Sequence, residues 1–410
     1  MNRILCACVV LACLAPLLGA AAPEDPGPAK AFFNARRQQT EYAGPGREDQ
    51  QPAAVDEVLI GYFGPGNAAD PEGGDMWCAA QMAVEEANRR GGHQGKPYRL
   101  VAAWSDSPWG AGVGQLARLV FQDKVWAIIG GIDGPSTHLA EQVVAKAGLV
   151  LLSPAATDKT ANLANVPWMF SCLPGDHLLA PVLAAGISAR VGKGPFLVAS
   201  ADDHDAHLFA DELKKCLAKQ GVAPRYHFEF GRGSQDVAEL AARIAESKVD
   251  AAVIVAGAPD SARLLAAVRT KGFAGTVFGG PAMGRRRFAD EAGRAAEGVV
   301  FPLLYHPEEA SAPFAKAFES RFGKPPDYAA AHTYDAVRLL VEAIGKAGLN
   351  RARIGDAVRD LSPWSGVTGT MTWDGLGGNC RTVRLGTIRG GRIAAAEAKA
   401  DALAGAAEAK

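Results

Sequence analysis

Cysteine is scarce in this sequence and nowhere closely paired. Of seven cysteines in 410 residues, Cys6, Cys8 and Cys13 lie near the amino terminus, and Cys78, Cys172, Cys216 and Cys380 are far apart with no CxxC. That spacing argues against a structural zinc site, and buried free thiols are the expectation for the last four. No charge of one sign dominates: 43 Lys and Arg against 44 Asp and Glu leave a net charge of −1, which gives no basic surface for nucleic acid. After the first residues no apolar run approaches the ~20 that a spanning helix needs. Low-complexity segments and short internal repeats are missing too. What is present, at 48% hydrophobic and 21% charged residues, is the make-up of a globular protein with room for about two domains.

The amino terminus reads as an export signal. Arg3 precedes an apolar segment, Ile4 to Leu18, and Gly19-Ala-Ala-Ala22 supplies small residues for cleavage near Ala21. Val10-Leu-Ala-Cys13 also has the form of a bacterial lipidation site, so an amino-terminal lipid anchor is an alternative. The expected location is periplasmic or extracytoplasmic. Residues 23–56, rich in Pro, Gly, Gln and charge, are expected to form an extended arm or linker.

From Val58 onward strands and helices alternate. Val58-Leu-Ile-Gly-Tyr-Phe63, Tyr98 to Trp104, Val125 to Ile129 and Leu149 to Leu152 are apolar runs of strand length, with helices expected at Asp75–Arg90, Ala111–Gln122 and Thr137–Ala147. The pattern restarts after Pro174, with strands at Pro195–Ser200, Tyr226–Phe230, Ala251–Ala256 and Thr276–Gly279 between helices, and a further strand at Gly298–Leu304. Such alternation predicts parallel sheets covered on both faces, so the fold class is α/β with two doubly wound units. Helices follow at Ala312–Arg321, Tyr328–Ala347 and Ile354–Leu361, then β segments at Gly369–Trp373 and Thr382–Ile388. Residues 394–410, rich in Ala, Glu and Lys, are expected to be an exposed, disordered tail.

Function is most legible between Gly130 and Lys159. Here a buried strand, a loop of small residues, a helix and a second strand ending in Ser153-Pro-Ala-Ala-Thr157 follow one another. Both loops stand at strand carboxyl ends, where open α/β sheets hold ligands. The helix amino terminus offers backbone amides to a carboxylate or other anion. Ser136 or Thr137 can act as helix cap and as ligand contact, and capping alone is the commoner role.

The order of elements, the Ser153-Pro-Ala-Ala-Thr157 turn, the Tyr334-Asp-Ala-Val helix and the Gly366-Val-Thr-Gly369 strand entry together resemble type I periplasmic binding proteins. The nearest branch is the leucine/isoleucine/valine-binding protein family, which also contains amide-sensing receptors. The resemblance runs from about Glu57 to Arg392. It implies two lobes joined by three hinge crossovers, 57–173 with 306–365 and 174–305 with 366–393, closing on a small ligand and delivering it to an ABC transporter permease.

Carried over position by position, the family's ligand-gripping serine falls on Gly134, with Ser136 nearby, and its head-group contacts on the Ala155 carbonyl and the Thr157 side chain. The usual covering tyrosine falls on His204. The acid that usually meets the ligand ammonium falls on Pro281 or Ala282 and is missing. An unpaired buried ammonium is costly, so Asp133 or Asp202 must substitute, or the ligand is not a free α-amino acid. Trp77 and Trp109 are expected as apolar walls at the cleft, against plain core packing. Arg285 is expected to pair with a ligand carboxylate, the rest of Arg285-Arg-Arg287 being a solvated charge run. Acids and histidines in Asp202-Asp-His-Asp-Ala-His207 invite a metal reading through His204 and His207, but acids at a helix start need no metal, and none is expected.

Gly112-Val-Gly114-Gln-Leu-Ala117 does not follow a strand directly, as a dinucleotide fingerprint must. No nucleophile has an evident base, and no GxSxG stands at a strand–helix turn. The expectation is therefore an exported, non-enzymatic solute-binding protein without cofactor, taking an amino acid, a small or aromatic carboxylate or an amide. The alternative is an extracytoplasmic receptor that senses a ligand and signals to a protein partner without transport.

Overall fold

A computed structural model describes Arg36, residues 45–52 and residues 54–396 apart from 193, 234–235, 307 and 309–310, without the side chains of 108 and 109. The expected signal at 1–22, Cys13, most of the arm and residues 397–410 lie outside the described residues.

The first sheet is built from β1 (Val58–Phe63), β2 (Tyr98–Ala103), β3 (Ile128–Gly130), β4 (Leu151–Ser153) and β5 (Met169–Ser171), with α1 (Gly74–Arg89), α2 (Val113–Ala117) and α3 (Gly134–Ala147) between them. Its order is β2-β1-β3-β4-β5, parallel throughout. The single helix expected at Ala111–Gln122 is instead α2 flanked by π turns, Pro108–Gly112 and Arg118–Gln122. Gly110, Gly112 and Gly114 give this stretch little intrinsic preference for regular α turns.

The second sheet follows α4 (Asp176–Val191) and holds β6 (Phe196–Ala201), β7 (Tyr226–Phe230), β8 (Ala251–Val255), β9 (Thr276–Gly279) and β10 (Val300–Leu303). Between these strands run α5 (His204–Lys219), α6 (Val237–Glu246), α7 (Ala258–Thr270) and the short α8 (Arg286–Ala292). The chain then returns to the first sheet as α9 (Ala312–Phe322), α10 (Tyr328–Ala347) and α11 (Arg351–Asp360), and α10 packs along α1. A small antiparallel pair, β11 (Trp364–Gly366) with β12 (Gly369–Met371), precedes β13 (Arg384–Arg389) and β14 (Arg392–Ala395), which add antiparallel strands to the edge of the second sheet. This is the expected α/β fold of two doubly wound lobes with three crossovers.

The tail begins later than expected. Ala394 and Ala395 pair with Thr387 and Gly386, because Gly390-Gly391, both at positive φ, turn the chain back into a hairpin that an alanine-rich composition conceals. At the other end, residues 45–52 dock on the start of α11. Asn350 Nδ2 donates to the carbonyls of Gly46 and Asp49 while its Oδ1 caps Arg353 N.

Two buried groups brace the crossovers. The Asp335 carboxylate in α10 accepts hydrogen bonds from Val367 N, Thr368 N and the Thr368 hydroxyl at 2.7–2.9 Å. Arg381 donates to the carbonyls of Leu304 and Thr368, tying two crossovers together. The four described cysteines are free. Three are buried as expected, whereas Cys380 is exposed beside β12.

Candidate functional site

The carboxyl ends of the two sheets face each other across a cavity of about 170 Å³. In each sheet the strand order reverses beside this cavity, at β1/β3 and at β6/β8, the switch points where α/β sheets bind ligands. Asp133 follows β3, Ala155 and Thr157 follow β4, Asp205 and Phe209 come from α5, and the 255–260 and 280–282 loops follow β8 and β9. Glu72, Tyr328, Arg232 and Arg285 complete the wall.

Asp133 is the N-cap of α3: its Oδ1 accepts from Ser136 N at 2.9 Å, and Ser136 Oγ accepts from Ile132 N at 3.0 Å. Asp133 N also donates to Ser136 Oγ at 3.3 Å, so Ser136 is the third helical residue of a capping box, and it is fully buried. Thr137 is also fully buried, its Oγ1 3.0 Å from Ser153 Oγ. Neither hydroxyl lines the cavity, so the anion-binding feature of this helix start is its backbone. Gly134 N points across the cleft and donates to Asp205 Oδ2 at 3.0 Å.

Asp205 is the residue that the sequence did not single out. Only a bare glycine at 134 lets it approach, since any β-carbon there would overlap Asp205 Oδ1. That Oδ1 is buried and has no hydrogen-bond partner among the described residues. Burial pushes the Asp205 carboxyl up to about 7; the Gly134 amide opposes the shift and the nearby Asp133 and Asp158 carboxylates add to it. A buried carboxyl with its pKa raised this far accepts a hydrogen bond when ionised and donates one when protonated.

The arginine run is not a solvated face. Arg285 Nε donates to Asp327 Oδ2 at 2.7 Å and its Nη2 to the Glu72 carbonyl at 2.7 Å, over the Tyr328 ring. Burial works against the Arg285 charge, but Asp327 outweighs it and the pKa is raised. Arg286 reaches Asp75 at 2.9 Å and Arg287 pairs with Glu72. All three acids stand on the first lobe, so α8 begins as a clasp over the cleft. Sequence spacing could not reveal this, because the partners lie far away in the chain.

The other expected contacts divide. Ala155, Thr157, Asp133 and Arg285 line the cavity, whereas Trp77 packs against the Tyr62 ring at 5.1 Å, outside it. The side chain of Trp109 lies outside the described residues. Asp202 does not line the cavity; its Oδ1 accepts from Arg232 N. His204 turns away from the cavity, and its Nε2 meets Asp158 Oδ2 at 2.7 Å. His207 faces Asp211 on the α5 surface. Among the described residues no helix is long and apolar enough to cross a membrane.

A family model described as periplasmic binding protein matches residues 58–391. A curated relative from Pseudomonas aeruginosa named amino acid binding protein is 26% identical over 332 residues, covering 79% of this chain and 88% of its own length. The Streptococcus pneumoniae branched-chain amino acid transporter substrate binding protein LivJ, solved with isoleucine, superposes with a TM-score of 0.76 at 22% identity, covering 83% of this chain and 99% of its own. A Rhodopseudomonas palustris ABC transporter solute binding protein solved with benzoate superposes with a TM-score of 0.74 at 15% identity, over 83% and 95% of the two chains.

Proposed function

This chain belongs to the periplasmic binding protein family, and on that premise we propose that its cleft captures a small solute whose head group is a hydrogen-bond donor. A primary amide or an amine is the class that fits, handed from outside the cytoplasm to the permease of an ABC transporter without turnover. The lobes are taken as 57–173 with 306–365 and 174–305 with 366–393, as the resemblance implies, the second extended to Ala395 by β14. The Ala155 carbonyl and Thr157 would hold the head group, Asp205 would accept from it, and Phe209 and Tyr328 would wall its apolar part.

One observation carries the reading. Isoleucine and benzoate, the ligands of the two neighbours, each bring a carboxylate. In this chain the α3 amide that would receive one already holds the carboxylate of Asp205. A carboxylate ligand must displace Asp205 from that amide and then stand beside a buried carboxyl. A donor ligand leaves the Gly134–Asp205 contact in place. The cavity, about 170 Å³, is below the ~300–1,000 Å³ of pockets for drug-sized ligands, which favours a solute of few atoms.

The test is a thermal-shift screen of the purified protein against short aliphatic amides, amines, branched-chain amino acids and benzoate. A ligand present at 100 times its Kd adds about 2.7 kcal/mol. Stabilisation by amides or amines but not by benzoate or isoleucine supports the reading. Stabilisation by the carboxylates alone overturns it.

A further inference from the structure

Beside the cavity, three ligand-type side chains converge from both lobes. His138 Nε2 of α3 and His204 Nε2 of α5 each stand 2.7 Å from the same atom, Asp158 Oδ2. The three ligand atoms lie within 4.8 Å of one another. Asp158 is fully buried, and its other oxygen is taken by Thr160 N at 2.7 Å and the Thr160 hydroxyl at 2.6 Å, which fixes Oδ2 as the convergent acceptor. His204 remains well exposed, with 41% of its side chain accessible. The metal considered from the sequence paired His204 with His207. The fold separates those two and gives His204 different companions.

We propose that His138, Asp158 and His204 form a lobe-bridging site for a zinc-type divalent cation. Two imidazoles and one carboxylate are a donor set that suits Zn²⁺, with metal–ligand lengths of roughly 2.0–2.2 Å and a fourth position for water. The exposed side of His204 leaves that position open, and rotation of the same side chain is the adjustment that binding requires. The outer shell is present as well. His138 Nδ1 faces Glu141 Oε2 at 3.4 Å, the carboxylate–histidine arrangement that orients a metal-bound imidazole. When the cation replaces the two hydrogen bonds each ring binds as a neutral imidazole with its hydrogen on Nδ1: an imidazolium releases the Nε2 proton to solvent, and a neutral ring shifts it to Nδ1. Because the ligands come from opposite sides of the cleft, the cation is held fully only when the lobes close. Occupancy therefore favours closure and the retention of solute.

Co²⁺ serves as an optical probe for the purified protein, since a tetrahedral nitrogen/oxygen site gives visible absorption that surface binding does not. The expected result is one Co²⁺ per chain, displaced by Zn²⁺. H204A and H138Q should each weaken Zn²⁺ binding by at least ~10–100-fold, whereas H207A leaves it unchanged. H204A removes one hydrogen bond to Asp158, so its melting temperature without metal should fall slightly while its far-UV circular dichroism matches that of the parent, which separates loss of the site from loss of the fold. No Co²⁺ spectrum, or a spectrum that survives H204A and H138Q, overturns the site and leaves a hydrogen-bonded trio. None of these readouts involves the captured solute, so the site can fail or stand independently of the ligand class proposed above.

Discussion

The Gly134 amide and the Asp205 carboxylate meet across the cleft at 3.0 Å, one from each lobe, at the start of two helices. The glycine supplies a bare backbone, and the acid fills the space that a side chain would occupy. The pair therefore performs two tasks. It links the lobes, and on the function proposed above it keeps an anionic head group from the helix start.

Restoring a serine at this position tests both tasks. G134S places a side chain against Asp205, an overpacked contact expected to cost about 1–3 kcal/mol by urea unfolding. Removing the acid as well, in G134S/D205A, should relieve that cost and open the amide to carboxylates. Isoleucine or benzoate should then raise the melting temperature of the double variant and not that of the parent. If G134S alone is as stable as the parent, Asp205 does not occupy this space in solution.

The clasp at Arg285-Arg-Arg287 should divide by burial. R285A leaves the Asp327 carboxylate buried without its cation, and breaking such a pair typically costs ~3–5 kcal/mol. Asp327 also caps α10 through Ala330 N, so the loss should extend to that helix. R287A removes a pair between partly exposed groups with Glu72 and should cost under ~1 kcal/mol. Chemical denaturation of both variants checks the ranking, and equal losses would mean that the Arg285 pair is solvated.

The framework was legible because it rests on local signals. Val58–Phe63 and Ala251–Val255 are apolar enough to be central strands, and the 328–347 helix was read to its exact ends. The Tyr334-Asp335 helix and the Gly366–Gly369 strand entry, noted as separate motifs, prove to be one contact: Asp335 grips Val367 and Thr368. Elements without a periodic run were not legible. Met169–Ser171 is a strand of three residues, and Arg392–Ala395 is alanine-rich. At the site, Ala155 and Thr157 lie on a turn whose form is local, whereas Asp205 gains its meaning from a glycine 71 positions earlier. A partner at that distance leaves no trace in spacing, and neither do the acids that receive the three arginines.

Acid should destabilise the protein through two histidines, the buried His332 and the half-buried His177. Burial lowers His177 to about 4, helped by the nearby Arg36 charge, and lowers His332 well below the ordinary imidazole value, helped by Arg381. His332 Nδ1–H donates to the Tyr328 carbonyl at 2.8 Å while its buried Nε2 has no partner among the described residues, so protonation meets no acceptor there. Unfolded, both imidazoles bind a proton near pH 6.5; folded, His177 does so only near pH 4 and His332 only well below 6.5. Between these limits the unfolded chain holds more protons. The contribution is therefore complete above pH 6.5 and declines as the pH falls. For His177 the loss down to pH 4 is about 2–3 kcal/mol. Asp205 and Asp176, whose pKa values are raised, act in the opposite sense over part of this range, so the comparison must be between variant and parent. H332F and H177N should each lose less stability than the parent between pH 7 and pH 4.5 in urea titrations, while H207A, altered on the surface, should follow the parent. Parallel pH profiles for H332F and the parent would mean that His332 takes up its proton in the folded state.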